Sequence, residues 1–269
     1  MTAEAALKQR YGAVIDGPAP WNAVLDRLLS HRSVRAYRPD PVPPGTLEML
    51  VAAAQSASSS SNLQLWSVVA VEDPERRARL SAVAAGQKHI VQAPLLLVWL
   101  ADLSRAQRLS DVPLDGLPYL ETFMVAIVDA ALAAQNATVA AESLGLGTVY
   151  IGALRNNPEA VAAELGLPPG VFAVFGMCVG HPDPERPASV KPRLPQSVVL
   201  HHEQYTIDQV AETDGVGTYD NHMEAFQREQ GMAEVGWTKS VISRLGNAAG
   251  LMGRDRMRAA LATLGLELR

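Results

Sequence analysis

The residue types with the most chemical content stand in two short clusters far apart in the chain. His31-Arg32-Ser33-Val34-Arg35 sets two guanidinium groups, an imidazole and a hydroxyl within five residues, and Lys191-Pro192-Arg193 sets two cations on either side of a proline. Arginine meets phosphate oxygens with a rigid two-pronged donor geometry, and proline fixes the backbone between Lys191 and Arg193, which suits both to one anion. Taken alone, the first cluster also reads as a solvated basic turn. As an anion cradle it needs a second half elsewhere. Between the two clusters, the run Ser58 to Ser61 followed by Asn62 and Gln64, and then Gly86-Gln87-Lys88-His89, offer hydroxyls and amides. Serine runs are common in flexible linkers, but this one lies within a few residues of a helix and a strand. It reads instead as a rigid loop that hydrogen-bonds a polar ligand.

Other chemistries fail on spacing. Gly145 and Gly147 give a G-x-G with no preceding strand and no third glycine, so the dinucleotide fingerprint is absent. There is no P-loop, no G-x-S-x-G elbow and no metal-ligand spacing; His201 and His202 read as a surface pair. Cys178 is the only cysteine and stands inside an apolar strand, so it reads as a small core residue rather than a nucleophile. No two acids are singled out as a hydrolytic pair. Hydroxyls, amides and cations without a nucleophile or an acid/base pair describe a site for a phosphorylated cofactor that performs the chemistry itself. The net charge of −5 argues against a broad nucleic-acid surface. The opening MTAEAALKQRYG lacks an apolar signal-peptide core, so a cytoplasmic location is expected.

The elements that must position these groups follow from periodicity. Residues 119–144 contain no Pro or Gly and are rich in Ala, Leu and Val, which predicts one long helix. Its polar residues (Glu121, Thr122, Asp129, Gln135, Asn136, Glu142, Ser143) recur about every seven positions, which predicts one narrow polar stripe with apolar surface elsewhere. Such a helix wants burial on most sides, in a core or against a second subunit. The acids interrupt it too often for a membrane span. Further helices are expected at 21–30, 46–57 (capped by Thr46), 74–85 (capped by Asp73), 158–166 (capped by Asn157), 207–230, 237–247 and 254–266. Strands are expected at 67–71, 94–101, 148–152 and 171–182. The prolines between His181 and Tyr205 predict an extended, non-helical run. Residues 104–117 read as a polar excursion. The division expected is an N-terminal extension (1–20) ending in a linker, a cofactor-binding core (21–206) and a C-terminal helical excursion (207–269).

HRSVR, SSSSNLQLW, GQKH, AAESLGLGTVYIGALRNN, FGMCVGHP and KPRLP, in this order and spacing, resemble the FMN-dependent nitroreductase family, nearest its oxygen-insensitive NADPH nitroreductase and NADPH-flavin oxidoreductase branch. The resemblance implies an α+β (mixed α/β) fold with a central mixed sheet flanked by helices. It also implies an obligate homodimer with FMN in each of two interface pockets. By the same resemblance His31, Arg32, Ser33 and Arg35 hold the FMN phosphate and ribityl chain, and Lys191 and Arg193 complete the phosphate site. Ser59 and Gln87 contact the ring or ribityl chain from different subunits, and Tyr150, Ile151, Gly152 and Ala153 lie against the flavin. No side chain is expected to be catalytic; Arg35 is the candidate for stabilising the N1–C2=O edge of the reduced ring.

The implied reaction is ping-pong: NADPH or NADH donates hydride to flavin N5, leaves, and a nitroaromatic, quinone or free flavin takes its place. Other flavin chemistry on the same fold (dehalogenation or flavin cleavage), or a non-catalytic flavin-binding regulatory dimer, are the alternatives. Three departures stand out. Ala153 replaces a glycine common in relatives, and the C-terminal excursion reads QREQGMAEVGWTK with Glu234 where NADPH-preferring relatives have an arginine-rich loop. Arg228 or Lys239 are left as partners for a 2′-phosphate. Residues 1–20 have no counterpart in the resemblance.

Overall fold

The computed structural model describes residues 1–12 and 20–269. The Gly17-Pro18-Ala19 part of the expected linker lies outside these. In chain order the helices are α1 (Ala3–Tyr11), α2 (Ala23–Leu29), α3 (Thr46–Gln55), α4 (Pro74–Val83), α5 (Lys88–Gln92), α6 (Ser104–Arg108), α7 (Leu120–Ser143), α8 (Pro158–Leu165), α9 (Gln196–Val199), α10 (Gln209–Glu229), α11 (Trp237–Leu245) and α12 (Met257–Thr263). The strands are β1 (Trp66–Val71), β2 (Leu95–Asp102), β3 (Gly147–Ile151) and β4 (Val171–Gly180). The class is α+β, as expected. Two compact units divide the chain: Met1–Arg32 with Ala188–Leu251, and Ser33–Pro187 with Met252–Arg269.

The unit formed by Ser33–Pro187 and Met252–Arg269 carries the sheet, in the order β1-β2-β4-β3 with every strand pair antiparallel. Its parallel component is a single bridge from Ser33 to Thr148 on the edge strand β3. β2 is buried along its whole length, as its unbroken LLLVWLA run requires of a central strand covered on both faces. α7 lays Ala133, Ala134, Ala137 and Ala141 into a core shared with Leu95, Leu97, Trp99, Met177 and Val179 of the sheet. Small side chains let the helix approach the strands closely. By length and composition α7 is apolar enough to cross a bilayer, but here its alanine face packs on a sheet.

The polar stripe expected on α7 is split: Glu121, Gln135, Asn136 and Ser143 are exposed, and two of its acids turn inward. Asp129 and Glu142 are buried, while Met124, Val128 and Leu132 are 52%, 52% and 43% exposed. Periodicity fixed the direction of the stripe, but not which parts of it pointed inward. Other boundaries also moved. Thr46 is the first residue of α3 rather than its cap; Gly45, at φ 80°, occupies the cap and makes no side-chain bond. The short helices α5 and α6 stand in GQKH and in the polar excursion, and α9 interrupts the run expected to be extended. Pro195 sits at the cap of α9, where its missing N–H costs nothing. In the other unit α10 runs unbroken through Gly215 and Gly217.

Candidate functional site

The segment after Arg32 is docked on the edge of the sheet. Val34 N donates to Thr148 O (2.9 Å), Arg38 N to His181 O (2.9 Å), and Asp183 N to Ala36 O (3.0 Å). Tyr37 is buried and its hydroxyl donates to Val34 O (2.7 Å). Burial, opposed by the nearby Arg35 charge, pushes its pKa well up. Gly147 is required for this docking: a Cβ there would lie 2.6 Å from Val34 Cγ2. The two-residue period of an extended chain then buries Val34 and Ala36 and turns Ser33 and Arg35 outward. Neither the Ser33 hydroxyl nor the Arg35 guanidinium has a hydrogen-bonding partner among the described residues. Arg35 does reach His89 electrostatically: burial, and then this charge, hold the His89 imidazole below its ordinary pKa.

Gln87, at the start of α5, follows two left-handed residues, Ala85 (φ 61°) and Gly86 (φ 68°), that turn the chain sharply. Its carbonyl accepts from Ser81 Oγ (3.0 Å), which fixes the turn, while its side-chain amide bonds to nothing among the described residues. Ser59 is different. Its hydroxyl donates to Asp129 Oδ2 (2.8 Å) and accepts from Gln64 N (2.9 Å). Asp129 also accepts from Ser60 N (3.2 Å) and Leu65 N (3.2 Å), so one buried carboxylate of α7 holds the whole serine loop. Ser61, Asn62 and Gln64 adopt positive φ within it, a conformation non-glycine residues hold only when the surroundings impose it. Sequence reasoning assigned the loop to a ligand and missed Asp129 as its anchor. The lone acid beside Val128 in an apolar run was the available signal.

β3 turns Tyr150 under α7. Its hydroxyl pairs with Thr138 Oγ1 (3.0 Å) and its ring meets Phe175 edge-on at 5.1 Å. Burial raises its pKa. Ile151 is buried, Ala153 is 7% exposed, and Gly152 is half-buried, so protein rather than solvent covers the Ala153 methyl. Cys178 is fully buried and burial pushes its pKa up to about 12, as befits a core thiol.

The other basic residues belong to the unit that contains α1, α2, α10 and α11. His31 and Lys191 are half-buried; Arg32 and Arg193 are exposed. Lys191 Nζ lies 5.7 Å from the Phe226 ring centroid. Arg193 donates to the Lys191 and Pro192 carbonyls, and Arg32 to Ser30 O, and neither pairs with a carboxylate among the described residues. Arg10, which sequence reasoning left in an unassigned extension, is 5% exposed. It donates to Leu29 O, His31 O and Lys191 O at 2.7, 3.0 and 2.7 Å. In the same unit Arg228 is held in a fork by Glu234 (3.1 and 2.6 Å). His201 stacks on Tyr205 at the surface. No three or more His, Cys, Asp or Glu side chains gather to hold a metal among the described residues.

Residues 28–181 match the Nitroreductase family and residues 191–269 match the Nitroreductase family, C-terminal domain. An FMN reductase [NAD(P)H] of Bacillus subtilis is 42% identical over 228 residues, 82% of this chain and 90% of the relative. An oxygen-insensitive NADPH nitroreductase of Salmonella typhimurium is 43% identical over 67% of this chain and 74% of its own length. The structure of an NADPH:FMN oxidoreductase from Vibrio harveyi complexed with NAD+ superposes with a TM-score of 0.81 at 36% identity, covering 92% of this chain and 100% of the other. With both segments matched and identity at this level over most of the length, the chain belongs to the nitroreductase family.

Proposed function

We propose that this protein is an FMN-dependent NAD(P)H oxidoreductase that reduces nitroaromatics, quinones or free flavin by ping-pong, and that it works as a homodimer in the cytoplasm. The observation that carries the reading is the donor set. In a chain with more acids than bases, Arg32, Arg35 and Arg193 pair with no carboxylate among the described residues, and the Ser33 hydroxyl and Gln87 side-chain amide bond to none of those residues. A phosphate wants cations and N–H donors, and a flavin's pyrimidine edge wants donors and a positive charge; these residues fit both ends of FMN. The names of the relatives support the same reading.

On this reading His31, Arg32, Lys191 and Arg193 hold the phosphate, with Ser33 continuing along the ribityl chain. Arg35 supplies fixed positive charge where reduction deposits negative charge, and Gln87 bonds the ring or ribityl chain. Ser59 contributes through the loop that Asp129 sets. Tyr150, Ile151, Gly152 and Ala153 form a wall, with the Tyr150 side chain engaged beneath α7. When bound, FMN supplies hydride acceptance from the nicotinamide and two-electron delivery to the acceptor, so the protein contributes position and electrostatics. Residues 21–206 form the FMN-binding core and 207–269 the excursion. Support for the dimer comes from α7, whose Leu120, Met124, Val128 and Leu132 leave an apolar strip exposed in a single chain.

The purified protein should be yellow, bleach anaerobically with NADH or NADPH, and recover colour on adding a nitroaromatic. A colourless protein that FMN cannot reconstitute overturns the reading. Sedimentation should give a dimer, and Arg32→Ala or Lys191→Ala should weaken FMN retention.

A further inference from the structure

Arg10 lies outside both segments matched to the family, yet its guanidinium makes three hydrogen bonds within its unit. It sits in the last turn of α1, whose end is set by Gly12 at φ 75°, with Gly12 N donating to Lys8 O. The ring of His222 on α10 packs so closely on Gly12 that a Cβ there would come within 2.1 Å of it, so this end of α1 is docked rather than dangling. From that position one guanidinium donates to three main-chain carbonyls: Leu29 at the end of α2, His31 at the start of the first basic cluster, and Lys191 at the start of the second. The Arg10 carbonyl in turn accepts from Arg193 N at 3.0 Å.

We propose that Arg10 is a positioning residue for the phosphate end of the FMN site, clamping the backbones of the His31–Arg32 and Lys191–Arg193 segments in the orientation that lets their cations converge. The inference rests on the proposed FMN reading. Its physical core is the direction of the carbonyls. A phosphate cradle must present N–H groups and cations and keep carbonyl oxygens turned away, because a carbonyl facing the anion repels it. Arg10 draws three such oxygens, one of them a helix C-terminal carbonyl that needs a donor anyway, onto a single buried cation. Only a planar fork with five N–H groups serves three acceptors from one side chain in fixed geometry; a lysine ammonium carries the charge without the fork. The two basic clusters are 160 residues apart in sequence (191 − 31), and Arg10 bonds the backbone of both.

The test compares FMN with riboflavin, which lacks the phosphate. Dissociation constants are measured by flavin fluorescence for the flavin-stripped full-length protein and for Arg10→Lys and Arg10→Ala, with thermal melts alongside. The expected result is FMN binding weakened about tenfold or more in both variants, with riboflavin binding within about twofold of wild type. Should Arg10→Ala fail to fold, Arg10→Lys, which keeps the charge and most of the buried stem, carries the test. Equal loss of both flavins, or Arg10→Lys binding FMN like wild type, overturns the clamp. A wild type that binds riboflavin as tightly as FMN removes the phosphate reading and the clamp with it. A wild type that discriminates, with variants that discriminate equally well, removes the clamp alone.

Discussion

The serine loop and the strip Ser33–Arg35 read alike in sequence, since both are short polar segments beside apolar elements, and they behave oppositely in the fold. In the loop the hydroxyl of Ser59 and the N–H groups of Ser60 and Leu65 all turn inward to Asp129. In the strip the backbone is bonded to Thr148 and the side chains of Ser33 and Arg35 are left without hydrogen-bond partners among the described residues. The difference teaches which polar residues build a site and which serve it. A buried counter-group on a neighbouring element makes a segment a scaffold, and its lack leaves the segment's donors for a ligand.

The strongest way to break this contrast is to remove the counter-group. Asp129→Ala leaves one hydroxyl and two backbone donors without their acceptor, the buried Leu65 N–H among them, and releases three residues held at positive φ. A loss of about 3 kcal/mol is expected, which thermal unfolding should report as a fall in Tm on the order of 10 °C. A Tm within about 2 °C of wild type would mean the loop is held by something else.

The complementary change should spare stability and cost affinity. Arg35→Ala is expected to leave the Tm of the flavin-free protein nearly unchanged while weakening FMN binding roughly tenfold to a hundredfold, the range for a hydrogen bond to a charged group. Ser59→Ala should do the reverse, lowering Tm more than FMN affinity. Arg35 also leaves a pH signature. The unfolded His89 imidazole takes its proton near pH ~6.5, whereas the folded one resists because of burial and then the Arg35 charge. The unfolded state therefore binds more protons as pH falls below that value, and stability declines until the folded pKa is passed. Arg35→Ala removes the smaller cause, so the His89 titration followed by NMR should move part of the way back up. No movement would place Arg35 too far away to act.

How much of this was legible in the sequence depends on the kind of contact. The long helix, the core strands and the caps at Asp73 and Asn157 follow from local patterns, and the side-chain caps at both positions are present. The two basic clusters are legible as residue types. Arg10 was not, because its partners are main-chain carbonyls 19, 21 and 181 residues away, and any residue type can supply a carbonyl. The burial of Asp129 and Glu142 was not legible for a related reason: a periodic stripe gives an angle on the helix, and only the packed sheet decides which parts of it face inward.

A third kind of cation sharpens the comparison further. Arg228 is neither buried like Arg10 nor unpaired like Arg35; an exposed carboxylate, Glu234, occupies its fork, and this pairing holds the Glu234 carboxyl below its usual range. If Arg228 is the group left for a nicotinamide 2′-phosphate, Glu234 competes with that phosphate for it. Glu234→Ala should then lower the KM for NADPH roughly twofold to fivefold relative to NADH, the scale of an exposed ion pair. An unchanged ratio in steady-state kinetics with both nicotinamides would remove Arg228 from the donor site.

The smallest effect belongs to a polar atom that fits neither side of the comparison. Thr148 Oγ1, on β3 beneath the Ser33 bridge, is wholly buried and without a hydrogen-bond partner among the described residues. A hydroxyl in that position costs desolvation and returns nothing, whereas valine has nearly the same shape and the same preference for a strand. Thr148→Val should therefore stabilise the fold by up to about 1 kcal/mol, raising Tm by roughly 2–4 °C, with FMN affinity unchanged. A fall in Tm of that size would mean that the hydroxyl bonds to a trapped water. The docking of Ser33 and Val34 on β3 would then rest on a polar contact in addition to the backbone pairing described above.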